Sequence, residues 1–319
     1  MSETLTRILF LFIDVIMPLA VGYYLHKYNI VTIRFCNLLL KLNVRFIVVV
    51  LGLGSFWLVT IDENFMFLVF IGIVLCSIIP GLFAYPYAHK KIKNLQTSSS
   101  YLIGSMLSNT GTLGGLCGFI ALGQMSFAYI QVMAMAQNIF TLLFCFPLAE
   151  YFHQKCVATN ANAVKFRPNW RKILISWNQI GLISMTIGII LNLNNVPRPV
   201  VFDPIFNSFV HIGAWCGILP VGYLLNFKAA KLYGKIALTY FPVRFVIIPI
   251  LCYLTAISFT DDKLLIASIT LIGACPIGIN ATVVSQLYQL NTKLTEAAFL
   301  VTTLGFVLVV YPLFLYLMI

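Results

Sequence analysis

Apolar residues run along this chain in blocks of about twenty, parted by short polar stretches. That is the length a helix needs to cross the ~30 Å hydrocarbon core of a bilayer. Ten blocks are legible, at 6–25, 43–60, 65–86, 100–122, 127–150, 173–193, 204–225, 236–256, 264–287 and 296–317. The pattern predicts an all-α membrane protein with about ten transmembrane helices. The first block leads directly into Tyr23, Tyr24, His26 and Lys27, without a basic leader or a small-residue cleavage site. It is therefore read as a retained helix and not as a signal peptide.

Composition agrees with the pattern. Of 319 residues, 61% are hydrophobic and 9% charged, against about 25% charged in a soluble domain. Too little polar surface remains to cover a soluble core. A net charge of +11 raises the question of nucleic acid, but the Lys and Arg residues punctuate apolar runs instead of clustering on one face. No nucleic-acid partner is expected. The eight cysteines lie mostly within the apolar blocks and show no paired short spacing. They read as small buried hydrophobes, and no metal or cofactor is expected.

Sorting the basic residues by loop tests the span count. Sixteen fall on one side, among them Lys27, Lys90, Lys91, Lys93, Lys228 and Lys293, and only Arg7, Arg198 and Lys263 on the other. Such asymmetry marks the cytoplasmic side. The expectation is a plasma (inner) membrane protein with both termini extracytoplasmic and the basic 151–172 loop cytoplasmic.

The chain also resembles itself. At an offset of 165, Leu122, Gln124, Pro147 and Leu148 match Leu287, Gln289, Pro312 and Leu313. At 166, Gly22, Leu25 and Asn29 match Gly188, Leu191 and Asn195. These matches predict two five-helix repeats, 1–150 and 173–319. An odd number of spans turns the second repeat upside down, as in many secondary transporters.

Spans 4 and 9 are predicted to be broken. Span 4 carries Ser108-Asn109-Thr110-Gly111-Thr112-Leu113-Gly114-Gly115, and span 9 carries Gly273-Ala274-Cys275-Pro276-Ile277-Gly278-Ile279-Asn280. Backbone freed by such residues in a bilayer needs protein, water or ligand as partner. Half-helix N-termini there would present amide donors and positive partial charge to an anion. Helix packing is the plainer reading of the glycines, since Gly114 and Gly118 form a small-xxx-small pair. Matching breaks in both halves favour a binding site with Asn109, Thr110, Gly111, Gly114, Cys275, Pro276 and Asn280 around the ligand.

Arg244 lies nine residues beyond Lys235, roughly 13 Å into the membrane. A guanidinium at that depth costs at least ~2.5–3.5 kcal/mol and needs a partner. It is read as the charge partner of an anionic substrate, against a plainer role in fixing span 8. Asp14 is the carboxylate clearly inside a span and is the candidate for ion coupling by H⁺ or Na⁺. Its alternative is a hydrogen bond to a neighbouring helix. His211, without an evident companion, reads as a hydrogen-bonded core histidine.

These segments together resemble the auxin efflux carrier family, which includes the plant PIN carriers and bacterial malonate- and malate-type carriers. Arg244-Phe245 followed by Pro249 is similar to the PIN pattern in span 8. Ala274-Cys275-Pro276, Asn280-Ala281 and Gln286-Leu287-Tyr288 resemble the bacterial proline-broken helix. Pro18, Gly22, Asn109-Thr110-Gly111, Leu113-Gly114, Thr302-Thr303 and Pro312 fit the same layout. The family usually has a proline soon after the span-4 glycines, where this chain reads Gly115-Leu116-Cys117. The resemblance implies a scaffold set and a transport set of helices, with spans 4 and 9 crossing at the site. It also implies an organic anion, often a carboxylate, as substrate, and a homodimer in membrane lipid.

The leading expectation is an alternating-access carrier of a small organic anion. An intramembrane enzyme would need a nucleophile–base pair, a metal cluster or paired acids at membrane depth. The four histidines are scattered and no two carboxylates share a span. A channel, or a transport-inactive homologue serving as sensor or scaffold, is the alternative.

Overall fold

Helices in this protein start where a short polar side chain can satisfy one of the first free amides. The computed structural model describes residues 3–59, 61–157, 180–225 and 227–318. In it Asp62, Asn94, Asp262 and Asn291 each accept a hydrogen bond from a backbone amide two or three residues on, at 2.9–3.3 Å.

The described elements are helices α1 (3–27), α2 (Ile33–Leu58), α3 (Glu63–Lys91), α4 (Leu95–Met106), α5 (Thr110–Leu122) and α6 (Gln124–Val157). They continue as α7 (Ile180–Leu193), α8 (Phe202–Tyr223), α9 (Phe227–Phe259), α10 (Lys263–Gly273), α11 (Ile279–Leu287) and α12 (Thr292–Met318). Among the described residues the one β-type pairing is an isolated antiparallel bridge between Ser108 and Ile277.

Seven helices, α1, α2, α3, α6, α8, α9 and α12, are long and apolar enough to cross a membrane. Three shorter apolar helices accompany them, Thr110–Leu122, Ile183–Leu193 and Lys263–Gly273. The difference from the ten expected spans has physical causes. The fourth and ninth blocks are each divided into two short helices, and the sixth begins in residues outside those described. The basic loop expected at 151–172 lies partly outside them as well. α2 and α9 also start about ten residues before their expected spans, because helix continues through the basic stretches 33–42 and 227–237.

Helix ends recur along the chain. Asn29 and Asn195, 166 positions apart, both adopt φ 52° just past a helix. At both, the next amide reaches back five residues at 3.0 Å, Ile30 to Leu25 and Val196 to Leu191. This is a Schellman closure with asparagine in the left-handed position. Gly123 and Gln289, also 166 apart, have φ 86° and 51° beyond α5 and α11.

α1 packs along α8, and α2 along α7, at very close range. A Cβ added to Gly22 would collide with the Leu219 carbonyl oxygen, and one added to Gly188 would lie 2.6 Å from that of Leu53. Without Cβ atoms the backbones approach and gain dispersion contacts, the usual basis of helix association in lipid. The other helices form a second group, with α3 against α4, α6 and α9, and α12 against α9 and α11. Large apolar side chains such as Phe46, Met66, Leu82, Leu232, Leu308 and Leu313 stay exposed on the outer faces. Such a surface suits hydrocarbon and not water, so the protein is membrane-embedded in character.

Candidate functional site

Two breaks meet inside the second group. α4 ends at Met106 and α10 at Gly273, and the extended segments that follow cross one another. The Asn109 amide donates to the Pro276 carbonyl at 2.8 Å, and the Gly278 amide to the Leu107 carbonyl at 2.9 Å. Pro276 has no amide to donate and disfavours helix in the residue before it. Ser and Asn are poor helix formers, which lowers the helical preference of the chain at Ser108 and Asn109. Gly278 is required by the crossing itself, since a Cβ there would sit 2.8 Å from the Ser108 carbonyl oxygen. The span-4 break forms with no proline in the Gly115-Leu116-Cys117 stretch.

Neighbouring helices satisfy the opened backbone. With its amide oriented to suit every partner, Gln137 of α6 donates to Thr110 Oγ1 at 2.7 Å and to the Ser108 carbonyl at 3.1 Å. It accepts from the Ser108 amide at 3.0 Å and from the Ser108 hydroxyl at 2.9 Å. Gln131 Nε2 donates to the Gly111 carbonyl at 3.0 Å. In the other break, the Ile277 amide donates to Thr302 Oγ1 of α12 at 3.1 Å. None of these holding residues was singled out from sequence for this role. Two glutamines in the α6 apolar block were the legible signal, because buried amides at membrane depth need partners.

A cavity of about 190 Å³ opens beside the crossing, between α2, α5, α6, α8 and the start of α11. Of the residues singled out from sequence, Asn109, Thr110, Gly111 and Asn280 line it. Asn43 of α2 and Asn138 of α6 line it too and were missed. The side chains of Asn43, Asn109, Asn138 and Asn280 hydrogen-bond to no other described residue, so their amides are free for a ligand. Neither Asn109 before α5 nor Gly278 before α11 gives its helix a side-chain cap. Both helix N-termini therefore meet the cavity with the positive end of the dipole. Among the described residues no charged side chain lines it. A second cavity of about 210 Å³, between α1 and α12, is lined almost wholly by apolar side chains, with Tyr23 and Thr303 as the polar ones among the described residues.

The remaining expected residues lie behind the wall. Gly114 packs against Cys275, whose Sγ would lie 2.7 Å from an added Cβ. Pro276 contributes its carbonyl to the crossing. Arg244 is fully buried and does not line the cavity. Its guanidinium donates to the Ser105 carbonyl, at the end of α4, and to the Cys76 carbonyl of α3 at 3.3 Å. Nε has no partner among the described residues. In this conformation Arg244 supports the break and does not reach a ligand. Charge-assisted bonds to carbonyls offset part of the cost of burying it.

Asp14 and His211 were read separately, yet they are bonded. His211 Nδ1 donates to Asp14 Oδ2 at 2.6 Å, across the α1–α8 contact. The histidine thus has a companion that its sequence surroundings did not reveal. At one end of the molecule, Arg198 pairs with Asp203 and donates to Gln124 Oε1 at 2.8 Å, while Gln124 Nε2 donates to Asn207 Oδ1 at 2.7 Å. This chain of polar contacts ties the start of α6 to α8.

The chain matches no protein-family model and no curated protein.

Proposed function

We propose that this protein is a secondary transporter that carries a small organic anion by alternating access. The observation that carries the reading is the cavity at the crossing, where two uncapped helix N-termini and four free asparagine amides converge. Backbone amides at helix ends suit a carboxylate or comparable oxyanion. Broken helices that meet near mid-membrane are the usual site architecture of secondary transporters. At about 190 Å³ the cavity is smaller than the ~300–1,000 Å³ of drug-sized ligand sites. That size favours a short mono- or dicarboxylate over an indole acid.

The recurrence of helix ends at 166 residues supports ten spans in two five-helix repeats, the second inverted, with α4/α5 and α10/α11 as the broken spans. α1, α2, α7 and α8 then form the scaffold, and the remaining helices form the moving set. The basic residues orient both termini outward. This layout is the one implied by the resemblance to auxin efflux carriers. Asn109 and Asn280 bind the anion, and Arg244 keeps the end of α4 in place while lending positive charge behind the wall.

The test is uptake of labelled malonate, malate, lactate and an indole acid into liposomes containing the purified protein. Saturable uptake of a small carboxylate, weakened by Asn109→Ala, is expected. No uptake of any of the four would overturn the reading, and non-saturating current would favour a channel.

A further inference from the structure

Asp14 sits in a five-residue π turn, Phe12–Ile16, within α1. Such turns often mark functional positions, because they displace one residue from the regular helical register. Asp14 is 2% exposed, and its bonded partner His211 has a side chain 32% exposed. At 2.6 Å the contact falls below the common range for neutral N–H···O bonds and suits a charge-assisted one. With His211 neutral the pair carries one uncompensated negative charge in a low-dielectric setting. With His211 protonated the pair is neutral overall, and a mutually compensated pair is far cheaper to bury than a lone charge. Nδ1–H already points at Asp14, so an incoming proton binds Nε2. Hydronium gives up its proton, an N–H bond forms, and water is released.

Around the pair, the other ionisable groups on α1 are Glu3 and Arg7 on one side and Tyr23, Tyr24, His26 and Lys27 toward the far end. On α8 they are Asp203, Cys216 and Tyr223, on α5 Cys117, and on α2, which also packs against α8, Arg34, Cys36, Lys41 and Arg45. Asp203 is paired with Arg198. Tyr311 of α12 donates to the Cys117 carbonyl at 2.9 Å. Among the described residues no group of three or more His, Cys, Asp or Glu could hold a metal ion. Na⁺ needs several oxygen ligands, as hard cations do, whereas a proton needs only the ring nitrogen.

The imidazole also touches the broken span. Phe10 stacks on it at 5.0 Å, and the Phe119 ring of α5 meets it edge-on at 5.9 Å and 81°. α5 begins at the cavity, and Val210, next to His211 in the chain, lines the cavity too. A change of charge at His211 therefore bears directly on how α5 sits against α8.

We propose that Asp14 and His211 form a proton-binding site, and that its loading sets the contact between the scaffold and the α5 half-helix, so that a proton gradient drives the carrier. The coupling part rests on the transport reading above. The proton-binding part does not, and the experiment separates them.

Reconstituted protein with isotope-labelled histidine is compared between acid and neutral pH by vibrational or magnetic-resonance spectroscopy, beside Asp14→Asn, His211→Gln and His211→Asn. The expected result is a pH-dependent imidazole signal, absent in both histidine variants and displaced in Asp14→Asn. In liposomes, an inward proton gradient is expected to raise carboxylate uptake severalfold in the parent protein. That stimulation disappears in the variants, while exchange at equal pH persists. Absence of any pH-dependent His211 signal would overturn the site, whatever the liposomes do. A positive signal with gradient stimulation unchanged in all variants, or supplied equally by Na⁺, would overturn the coupling. If no compound moves, the carrier reading falls with its coupling, and the spectra still decide the site. Should Asp14→Asn fail to fold, the histidine variants carry both measurements.

Discussion

Gln137 and Thr302 stand 165 positions apart in the chain, and each holds the opened backbone of one of the two breaks. Gln137 receives the Ser108 amide and Thr302 the Ile277 amide, from α6 and α12 respectively. Each long helix thus supplies the hydrogen bond that the adjacent break has lost. In hydrocarbon no water can take that place, so the breaks depend on these side chains.

Gln137→Leu removes every partner of Ser108 that the side chain supplies and leaves a buried amide unsatisfied. Loss of about 1–3 kcal/mol is expected. It would be read as a lower midpoint in thermal unfolding of the detergent-solubilised protein. Thr302→Val removes one bond and is expected to cost less. Equal stability of Gln137→Leu and the parent would show that the break does not need the staple.

Gly278→Ala forces a Cβ against the Ser108 carbonyl, which is backbone and cannot rotate away. Overpacking of this kind costs ~1–3 kcal/mol. Gly234→Ala is the control, because nothing lies within 4 Å of an added Cβ there. The pair is expected to split: uptake and thermal midpoint fall in the first, whereas in the second uptake is unchanged and the midpoint stays or rises, since alanine also favours helix.

Asn109→Ala and Asn280→Ala each remove one free amide from the cavity wall without exposing a new buried group. A hydrogen bond to a charged group contributes about 1.5–3 kcal/mol net, so the Michaelis constant for uptake is expected to rise about 10–150-fold. Thermal stability without substrate should not move. An unaltered Michaelis constant in both variants would place the ligand elsewhere.

Arg244→Lys keeps the charge and loses the fork that spans the Ser105 and Cys76 carbonyls. If Arg244 acts as a support, stability falls in Arg244→Lys and further in Arg244→Gln, since the guanidinium is not replaced by a point charge. If instead it touches substrate in another conformation, the lysine variant stays stable and loses affinity selectively. Thermal midpoints with and without substrate distinguish the two.

Gln124 and Asn207 join the start of α6 to α8 through a bond of 2.7 Å. Replacing both with cysteine and oxidising them is expected to halt uptake, with recovery on reduction, because α6 could no longer part from α8. Uptake that survives confirmed cross-linking would show that this end of the molecule need not open.

The sequence determined the membrane character, the approximate positions of the long helices and the places where two apolar blocks break. Those features follow from local chemistry: apolar runs long enough for a bilayer, Ser and Asn that compete with helix, and proline that cannot donate. The matching close contacts at Gly22 and Gly188, and the matching helix ends at Asn29 and Asn195, were legible because close packing and left-handed backbone each restrict residue choice. Sequence could not say what the side chains meet. Arg244 stood out by its cost at membrane depth, but only packing directs it to the Ser105 and Cys76 carbonyls and away from the cavity. Asp14 and His211 lie 197 positions apart, and no local pattern joins them. Their bond, like the convergence of Asn43 and Asn138 on the crossing, exists because α1 folds against α8 and α2 against α6, and that choice of neighbours is made by the tertiary structure.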